Sequence, residues 1–346
     1  MSMKLSRTVP LLLSVALSSL SAAQAADSTT LRVAHFWPAG SGINKDIVEA
    51  WAKTVEEESD GSLRVQNFPS QTLSSADDTY QATVQGIADI GITVQGYTAG
   101  RFPLTQIVEL PGVSRSASQG ACILQSLYDD GYLGDEYKDS HVLFLFTTGP
   151  GYIHTKETDV QTPDDLQGLR IRRPTAVVGD ILDNLGAQPV GMPAPDIYTS
   201  MQRGVIDGVS LPWEGMKTFR LNEQARQHTQ VPFYSMAFVA TMNKQAYERL
   251  TPEQQAVIDA NAGMKWAENA GAVFDRIDQA GRQEAVEAGD TIRVIDNPLE
   301  NSDWQKPLQQ GIDNYLSELE SRGLDQARDV YQAALDAQPG CAAQGS

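Results

Sequence analysis

The stretch Leu166-Gln167-Gly168-Leu169-Arg170-Ile171-Arg172-Arg173-Pro174 decides the fold prediction, because it forms a short strand with cationic side chains at its end. In an extended segment alternate side chains share a face, so Arg170 and Arg172 are expected on one doubly cationic side. Pro174 favours an extended residue before it, so we expect the strand to end there and a helix to follow over residues 176–185. The donor fork of such an arginine suits an anionic ligand, and a solvated basic strand end is the alternative.

Short apolar strands alternate with segments of helical periodicity on both sides of this stretch. That alternation predicts an α/β fold with parallel sheets, in which ligands bind at the carboxyl ends of the strands. The predicted strands include residues 31–36, 63–68, 87–94, 141–147, 188–190 and 208–211, and the predicted helices include 44–59, 75–85 and 196–203.

Two connections predict that the chain folds into two lobes. Residues 149–152, Gly-Pro-Gly-Tyr, are typical of a hinge, and residues 238–242 predict a strand that returns to the first lobe. A single long helix, expected from Thr251 to about Glu287, can brace both lobes. The predicted division is 1–25 as signal peptide, 26–148 as lobe I with a return segment at about 238–265, 149–237 as lobe II with about 285–300, and 301–346 as C-terminal helices and tail.

The first 25 residues have the pattern of a secretory signal. Lys4 and Arg7 precede an apolar run over residues 10–20, and Ala23-Gln24-Ala25 provides a small-residue cleavage site. The apolar run is too short to span a bilayer, and no later stretch approaches ~20 apolar residues. We therefore expect a soluble protein exported to the periplasm of a Gram-negative bacterium.

The charge balance is strongly acidic. The chain has 26 basic and 44 acidic residues, and loss of Lys4 and Arg7 with the signal leaves 24 basic residues and a net charge of −20. Such a surface repels nucleic acid and anionic lipid, so neither is an expected partner. An anionic ligand has to be held by local positive charge.

The two cysteines, Cys122 and Cys341, lack a paired metal-binding spacing. In an oxidising compartment they are candidates for a disulfide that ties the C-terminal tail to the body, and two unpaired thiols are the alternative. The sequence predicts no metal site and no cofactor.

Catalytic motifs are not found. The four histidines are scattered without a metal-binding spacing, and there is no Gly-x-Ser-x-Gly elbow or phosphate-binding glycine loop. The acidic pairs at 77–78 and 164–165 fall at expected helix starts, where caps explain them. The sequence favours a binding protein, with a secreted enzyme as a remote alternative.

Several short motifs, in this order and spacing, resemble the DctP-like solute-binding proteins of tripartite ATP-independent periplasmic (TRAP) transporters. The resemblance implies two α/β lobes that close on a small-molecule solute, a long helix bracing both, delivery to the TRAP permease membrane subunits, and a monomer. It also implies that Arg172 contacts a ligand carboxylate. The motifs are LRVAH at 31–35, VEEESDG at 55–61, GIADIG at 86–91, GY at 96–97, GRFP at 100–103, ELP at 109–111, DLQGLRIR at 165–172 and RGVIDG at 203–208.

Two departures from the family pattern affect the expected ligand. The hinge-side segment 149–152 lacks the basic residue that many relatives have, and Glu214 follows Trp213 at a strand end. If Glu214 faces the cleft, its negative charge is expected to pair with Arg172 or with a ligand ammonium. If it does not, Glu214 is an acid at a helix N-terminus and Trp213 a core ring.

The departures favour an amine-bearing solute, such as an amino alcohol or an amino-acid-like zwitterion, held by aromatic rings. The alternative is an organic carboxylate, of four carbons or a sugar acid, bound through Arg172. The candidate ligand-binding residues are Arg172, Glu214, Trp213, Trp37, Tyr97, Tyr152 and Gln95.

Overall fold

The computed structural model describes residues 28–342, so the predicted signal peptide lies outside the described residues. Within that range the chain forms two β-sheets with helices on their faces. The strands are β1 Thr29–Ala34, β2 Leu63–Phe68, β3 Ile90–Val94, β4 His141–Thr147, β5 Gly151–Thr155, β6 Arg170–Arg173, β7 Gln188–Gly191, β8 Gly208–Leu211, β9 Gln227–Tyr234, β10 Ala237–Met242 and β11 Thr291–Val294.

Each sheet is the centre of one lobe. The sheet of lobe I has the order β2-β1-β3-β10-β4, and the returning strand β10 runs antiparallel to both of its neighbours. The sheet of lobe II has the order β11-β9-β5-β8-β6-β7, with β5 antiparallel to β8 and β9. The predicted α/β fold with two lobes is therefore confirmed, while the residue boundaries proposed for the lobes stay a prediction.

The helices pack on the faces of these sheets, and their starts follow ordinary capping chemistry. The Thr175 hydroxyl, for example, accepts a hydrogen bond from the backbone N–H of Val178 and starts the helix after the arginine strand. The α-helices are α1 Ala50–Glu58, α2 Thr79–Val84, α3 Ala117–Asp129, α4 Ala176–Asn184, α5 Ile197–Gln202, α6 Trp213–Thr218, α7 Lys244–Glu248, α8 Pro252–Ala260, α9 Met264–Glu287, α10 Gln305–Ser321 and α11 Ala327–Ala342.

The expectation of a single helix from Thr251 to about Glu287 is wrong in one respect. The chain forms two helices there, α8 and α9, because Gly263 adopts a φ of +66° and breaks the helical path. The second of them, α9, has 24 residues and packs against α3 of lobe I and α6 of lobe II. It therefore braces both lobes, as the sequence predicted.

A disulfide joins Cys122 of α3 to Cys341 of α11, with 5.6 Å between the Cα atoms. It joins residues that are 219 positions apart in the sequence and fastens the last described helix to lobe I. Of the two alternatives left open by the sequence, the disulfide is the one formed. None of the helices in residues 28–342 is long and apolar enough to cross a membrane.

Candidate functional site

The two same-face arginines of β6 have different environments. Arg170 is partly exposed and donates to both carboxylate oxygens of Asp207, at 2.9 and 2.6 Å. Asp207 offsets the Arg170 charge, so of the two arginines only Arg172 lacks a carboxylate partner among the described residues. Arg172 has no exposed surface and lies at the end of the strand, beside lobe I.

Arg172 is a buried cation surrounded by neutral groups. Its Nε donates to the Met192 carbonyl at 3.0 Å, and its Nη1 to the Ser210 carbonyl at 3.3 Å. Its Nη2 donates to the Tyr97 hydroxyl at 3.2 Å. These bonds use three of the five guanidinium N–H groups and leave one on each Nη atom. Among the described residues no carboxylate forms an ion pair with Arg172, so its positive charge is not balanced by the protein.

The remaining donors near Arg172 also lack an acceptor. The Tyr97 hydroxyl accepts from Arg172 and from the backbone N–H of Ala194 at 3.0 Å, and within residues 28–342 it donates to no protein acceptor. The hydroxyl of Tyr234 is buried and makes no hydrogen bond of good geometry within residues 28–342. This arrangement offers hydrogen-bond donors and positive charge, which an acceptor-only carboxylate complements.

Several contacts join the two lobes around this point. Glu109 of lobe I accepts from the Thr175 hydroxyl of lobe II at 2.7 Å and from the backbone N–H of Ala237 at 3.3 Å. Burial raises the pKa of Glu109 to about 7 against the opposing effect of these hydrogen bonds. Gly96 lies so close to Thr175 that an added Cβ would be 2.2 Å from its Cγ2. The cleft edges are therefore in contact near Arg172.

An aromatic wall lies next to Tyr97. The Phe36 ring is 5.9 Å from the Tyr97 ring, 4.7 Å from Trp37 and 6.4 Å from Phe219 of lobe II, measured between centroids. Trp37 in turn stacks on Phe238 at 5.3 Å. Of this group the sequence singled out Trp37 and Tyr97.

Trp213 and Glu214 belong to a different cluster. Trp213 lies 4.8 Å from the rings of His154 and His228 and 6.3 Å from Tyr152, so its aromatic neighbours are not those of Trp37. Within residues 28–342 the rings of Trp37 and Trp213 are not neighbours, so they do not form an aromatic box for a ligand. The indole N–H of Trp213 is buried and has no hydrogen-bond partner in the part of the chain that the structure describes.

Glu214 does not pair with Arg172. It is the second residue of α6, and its carboxylate accepts from the Thr218 hydroxyl at 2.6 Å, one turn later in the same helix. Its backbone N–H donates to Asp278 of α9 at 2.7 Å. Burial raises the pKa of Glu214 to about 7 and that of Asp278 to about 8. This position corresponds to the helix N-terminal alternative.

Gln95 is buried at the end of β3, and its amide orientation is fixed by a chain of hydrogen bonds. Thr105 donates to the Glu136 carboxylate at 2.6 Å, so Tyr137 donates to Thr105 and accepts from Gln95 Nε2 at 3.0 Å. The Gln95 Oε1 is therefore an acceptor, and it has no partner in the described chain.

Tyr152 lies on the hinge side. Together with Pro150, Trp213, Asp278 and Arg282 it lines an open hollow of about 300 Å³ that does not include Arg172. The structure thus brings Tyr97 to Arg172, but it separates Tyr152, Trp213 and Glu214 from that residue.

Sequence reasoning missed Tyr234 and Phe219, and it assigned no role to Glu109. Tyr234 ends a strand that pairs with the hinge strand, and only that pairing brings it near Arg172. Glu109 lies in one of the quoted motifs, which was the available signal.

Comparison with known proteins shows the family to which the chain belongs. Residues 33–318 match the model of a family described as bacterial extracellular solute-binding protein, family 7, or DctP. The match extends over most of the chain and confirms the resemblance drawn from the motifs.

Solved structures of TRAP solute-binding proteins share the fold. One from Rhodoferax ferrireducens, in complex with copurified benzoate, is 32% identical, with a TM-score of 0.87 and coverage of 92% of this chain and 100% of that chain. One from a marine metagenome, specific for aromatic acid ligands and crystallised with 3-hydroxybenzoate, is 34% identical, with a TM-score of 0.83 and coverage of 90% and 98%. The 2,3-diketo-L-gulonate-binding periplasmic protein YiaO of Escherichia coli is 23% identical over 82% of this chain and 85% of its own.

Proposed function

Because the chain belongs to family 7 of the bacterial extracellular solute-binding proteins, the receptors of TRAP transporters, we propose that it captures a small aromatic monocarboxylate in the periplasm and delivers it to TRAP permease subunits. The observation that carries the ligand class is the unanswered charge of Arg172. A buried cation without a counter-ion costs several kcal/mol in effective terms, and a ligand carboxylate offsets that cost. The two free N–H groups on Nη1 and Nη2 match the two oxygens of one carboxylate.

The aromatic character of the solute is supported by the wall beside Tyr97. Phe36 and Phe219 approach from opposite lobes and stack with their centroids 6.4 Å apart, so an apolar solute beside Tyr97 gains contact with this pair of rings. Two relatives above 30% identity bind benzoate and 3-hydroxybenzoate. The unpaired Gln95 Oε1 is suited to a hydroxyl group on such a ligand.

An amine-bearing solute, the class favoured by the sequence, has weaker support. Its ammonium needs an acceptor, and Glu214 turns its carboxylate to Thr218 rather than to the groups around Arg172. The carbonyls of Met192 and Ser210 already accept from Arg172. The carboxylate alternative therefore becomes the proposal, and sugar acids are the second class to test because YiaO binds one.

The test is calorimetric titration of the mature protein with benzoate, 3-hydroxybenzoate, benzamide, benzylamine and glucuronate. We expect binding of the two aromatic acids and none of benzamide, which has the same shape without the charge. Arg172→Ala should weaken benzoate binding at least tenfold, since a hydrogen bond to a charged group is worth about 1.5–3 kcal/mol. Binding of benzylamine, or equal binding by the variant with its folding intact, would overturn the proposal.

The rest of the proposal follows the family. We propose a periplasmic monomer that works without a cofactor or nucleic acid and that binds rather than converts its solute. Size-exclusion chromatography with light scattering tests the monomer. Recovery of unchanged benzoate after prolonged incubation tests the absence of catalysis.

A further inference from the structure

Gly151 and Tyr234 are paired residues of β5 and β9. The Tyr234 ring lies directly over the Gly151 backbone, where a Cβ on residue 151 would be 1.9 Å from Cε1 and 2.2 Å from Cζ of the ring. Real Cβ atoms do not approach other atoms so closely, so this ring position requires glycine. The ring occupies the volume that a side chain at residue 151 would fill.

The Tyr234 hydroxyl is buried next to Ser210, whose carbonyl accepts a hydrogen bond from Arg172 Nη1 at 3.3 Å. Tyr234 is only 3% exposed, and among the described residues its hydroxyl makes no hydrogen bond of good geometry. Ser210 is the nearby side chain that acts on it, but the Ser210 hydroxyl donates to the Arg172 carbonyl at 2.9 Å. Burial raises the pKa of Tyr234 above the ordinary range, while the Arg172 charge acts in the opposite direction. The Tyr234 hydroxyl is therefore a neutral donor near the guanidinium. A buried donor without an acceptor destabilises the ligand-free protein, and a ligand oxygen that accepts from it removes that cost.

Resting on the proposed function, we infer that Tyr234 is a specificity-determining residue, whose hydroxyl donates to the same ligand carboxylate that Arg172 holds, and that Gly151 is required to admit its ring. The carboxylate accepts from Arg172 and from a neutral phenol. The site then carries a single cation at this end, because the ring excludes a charged side chain from position 151.

This arrangement selects for the number of ligand charges. Arg172 is the only arginine or lysine that is buried among the described residues, so a second carboxylate on the solute finds no second buried cation. Its desolvation is then not offset. Benzoate should bind more tightly than isophthalate, which is the same ring with a second carboxylate.

The experiment is titration of Tyr234→Phe with benzoate and isophthalate, together with thermal unfolding of the ligand-free protein. We expect at least tenfold weaker benzoate binding, the loss of one hydrogen bond to a charged group. The melting temperature without ligand should be equal or higher, since the variant removes an unpaired buried hydroxyl. A residue with a purely structural role would give the reverse, a lower melting temperature and unchanged affinity.

Two matched controls accompany this variant. Tyr247→Phe removes a hydroxyl that bonds Asp259 on the surface, and Gly134→Ala adds a Cβ where nothing lies within 4 Å. Both should bind benzoate as the wild type does. Gly151→Ala should weaken benzoate binding by displacing the ring, with little further loss in the Tyr234→Phe background, because both changes remove one interaction.

The outcomes separate the two proposals. If the wild type binds no carboxylate, or binds it without Arg172, the proposed function fails. If binding depends on Arg172 but Tyr234→Phe stays within twofold of the wild type, only the role of Tyr234 is overturned. Tighter binding of isophthalate than of benzoate by the wild type would also overturn it.

Discussion

Asp275 and Asp278 lie one turn apart on α9, and each caps a helix of a different lobe. Asp275 accepts from the backbone N–H groups of Ala117 and Ser118, at 2.7 and 3.0 Å, at the start of α3. Asp278 accepts from the backbone N–H of Glu214 at 2.7 Å, at the start of α6. The carboxyl oxygens of such residues accept from N–H groups that have no partner within the helix at its start. One face of α9 therefore fixes both lobes to a common support.

Replacing Asp278 should test this support. Its helix, α6, begins after Pro212, which has no side-chain acceptor of its own. Asp278→Ala should lower the free energy of unfolding by about 0.5–2 kcal/mol, the usual effect of losing a cap. Asp278→Asn keeps one acceptor oxygen and should stay within about 0.5 kcal/mol of the wild type. Urea unfolding at pH 7 measures both, and equal losses in the two variants would contradict the capping role.

Glu109 predicts a pH dependence of stability. Burial raises its pKa to about 7 in the folded protein, from an ordinary 4.5. Between about pH 4.5 and 7, Glu109 is therefore protonated in the folded state and ionised in the unfolded state. The stabilisation that protonated Glu109 contributes is fully present below about pH 4.5, is lost as the pH rises to about 7, and does not change further above that. The loss should be on the order of 1–3 kcal/mol across this window.

The measurement compares Glu109→Gln with the wild type between pH 4.5 and 8.5. The amide keeps an oxygen for Thr175 or Ala237 but does not titrate. Burial lowers the pKa of His35 to about 4, and that group acts in the opposite direction, so only the difference between the two proteins is informative. The wild type should lose stability relative to the variant as the pH rises. A difference that is flat with pH would contradict a raised pKa at Glu109.

The fold can be predicted from the sequence because the patterns that indicate strands and helices each span only a few neighbouring residues. Alternation in β6 and the cap at Thr175 act over a few residues. Arg172 was singled out because it lies near the end of such a strand and because the motif around it resembles that of a known family. Tyr234 was not, since its partner Gly151 is more than 80 positions away and their contact exists only after β5 and β9 pair. The orientation of Glu214 likewise depends on Thr218 and on the packing of α6 against α9.

Glu214→Gln decides between the two ligand classes that the sequence left open. If Glu214 only occupies a helix start, the variant should bind benzoate within about twofold of the wild type. It should also be equally or more stable above pH 7, because a buried group with a pKa near 7 no longer ionises. Calorimetry with benzoate and benzylamine measures the first, and thermal unfolding at pH 8 the second. Binding of benzylamine by the wild type that is lost in the variant would restore the amine hypothesis.

The last prediction concerns closure of the lobes, which in this structure meet through Tyr97, Glu109 and Phe36. The Tyr97 hydroxyl contacts Arg172 and Ala194 of lobe II, so it holds the arginine only when the lobes are together. Saturating benzoate should therefore reduce the radius of gyration in small-angle scattering. Tyr97→Phe should weaken benzoate binding several-fold, since closing then aligns Arg172 less well, while Tyr247→Phe serves as the unaffected control. A radius of gyration that is the same with and without benzoate, in a wild type shown to bind it, would rule out closure as the response to ligand.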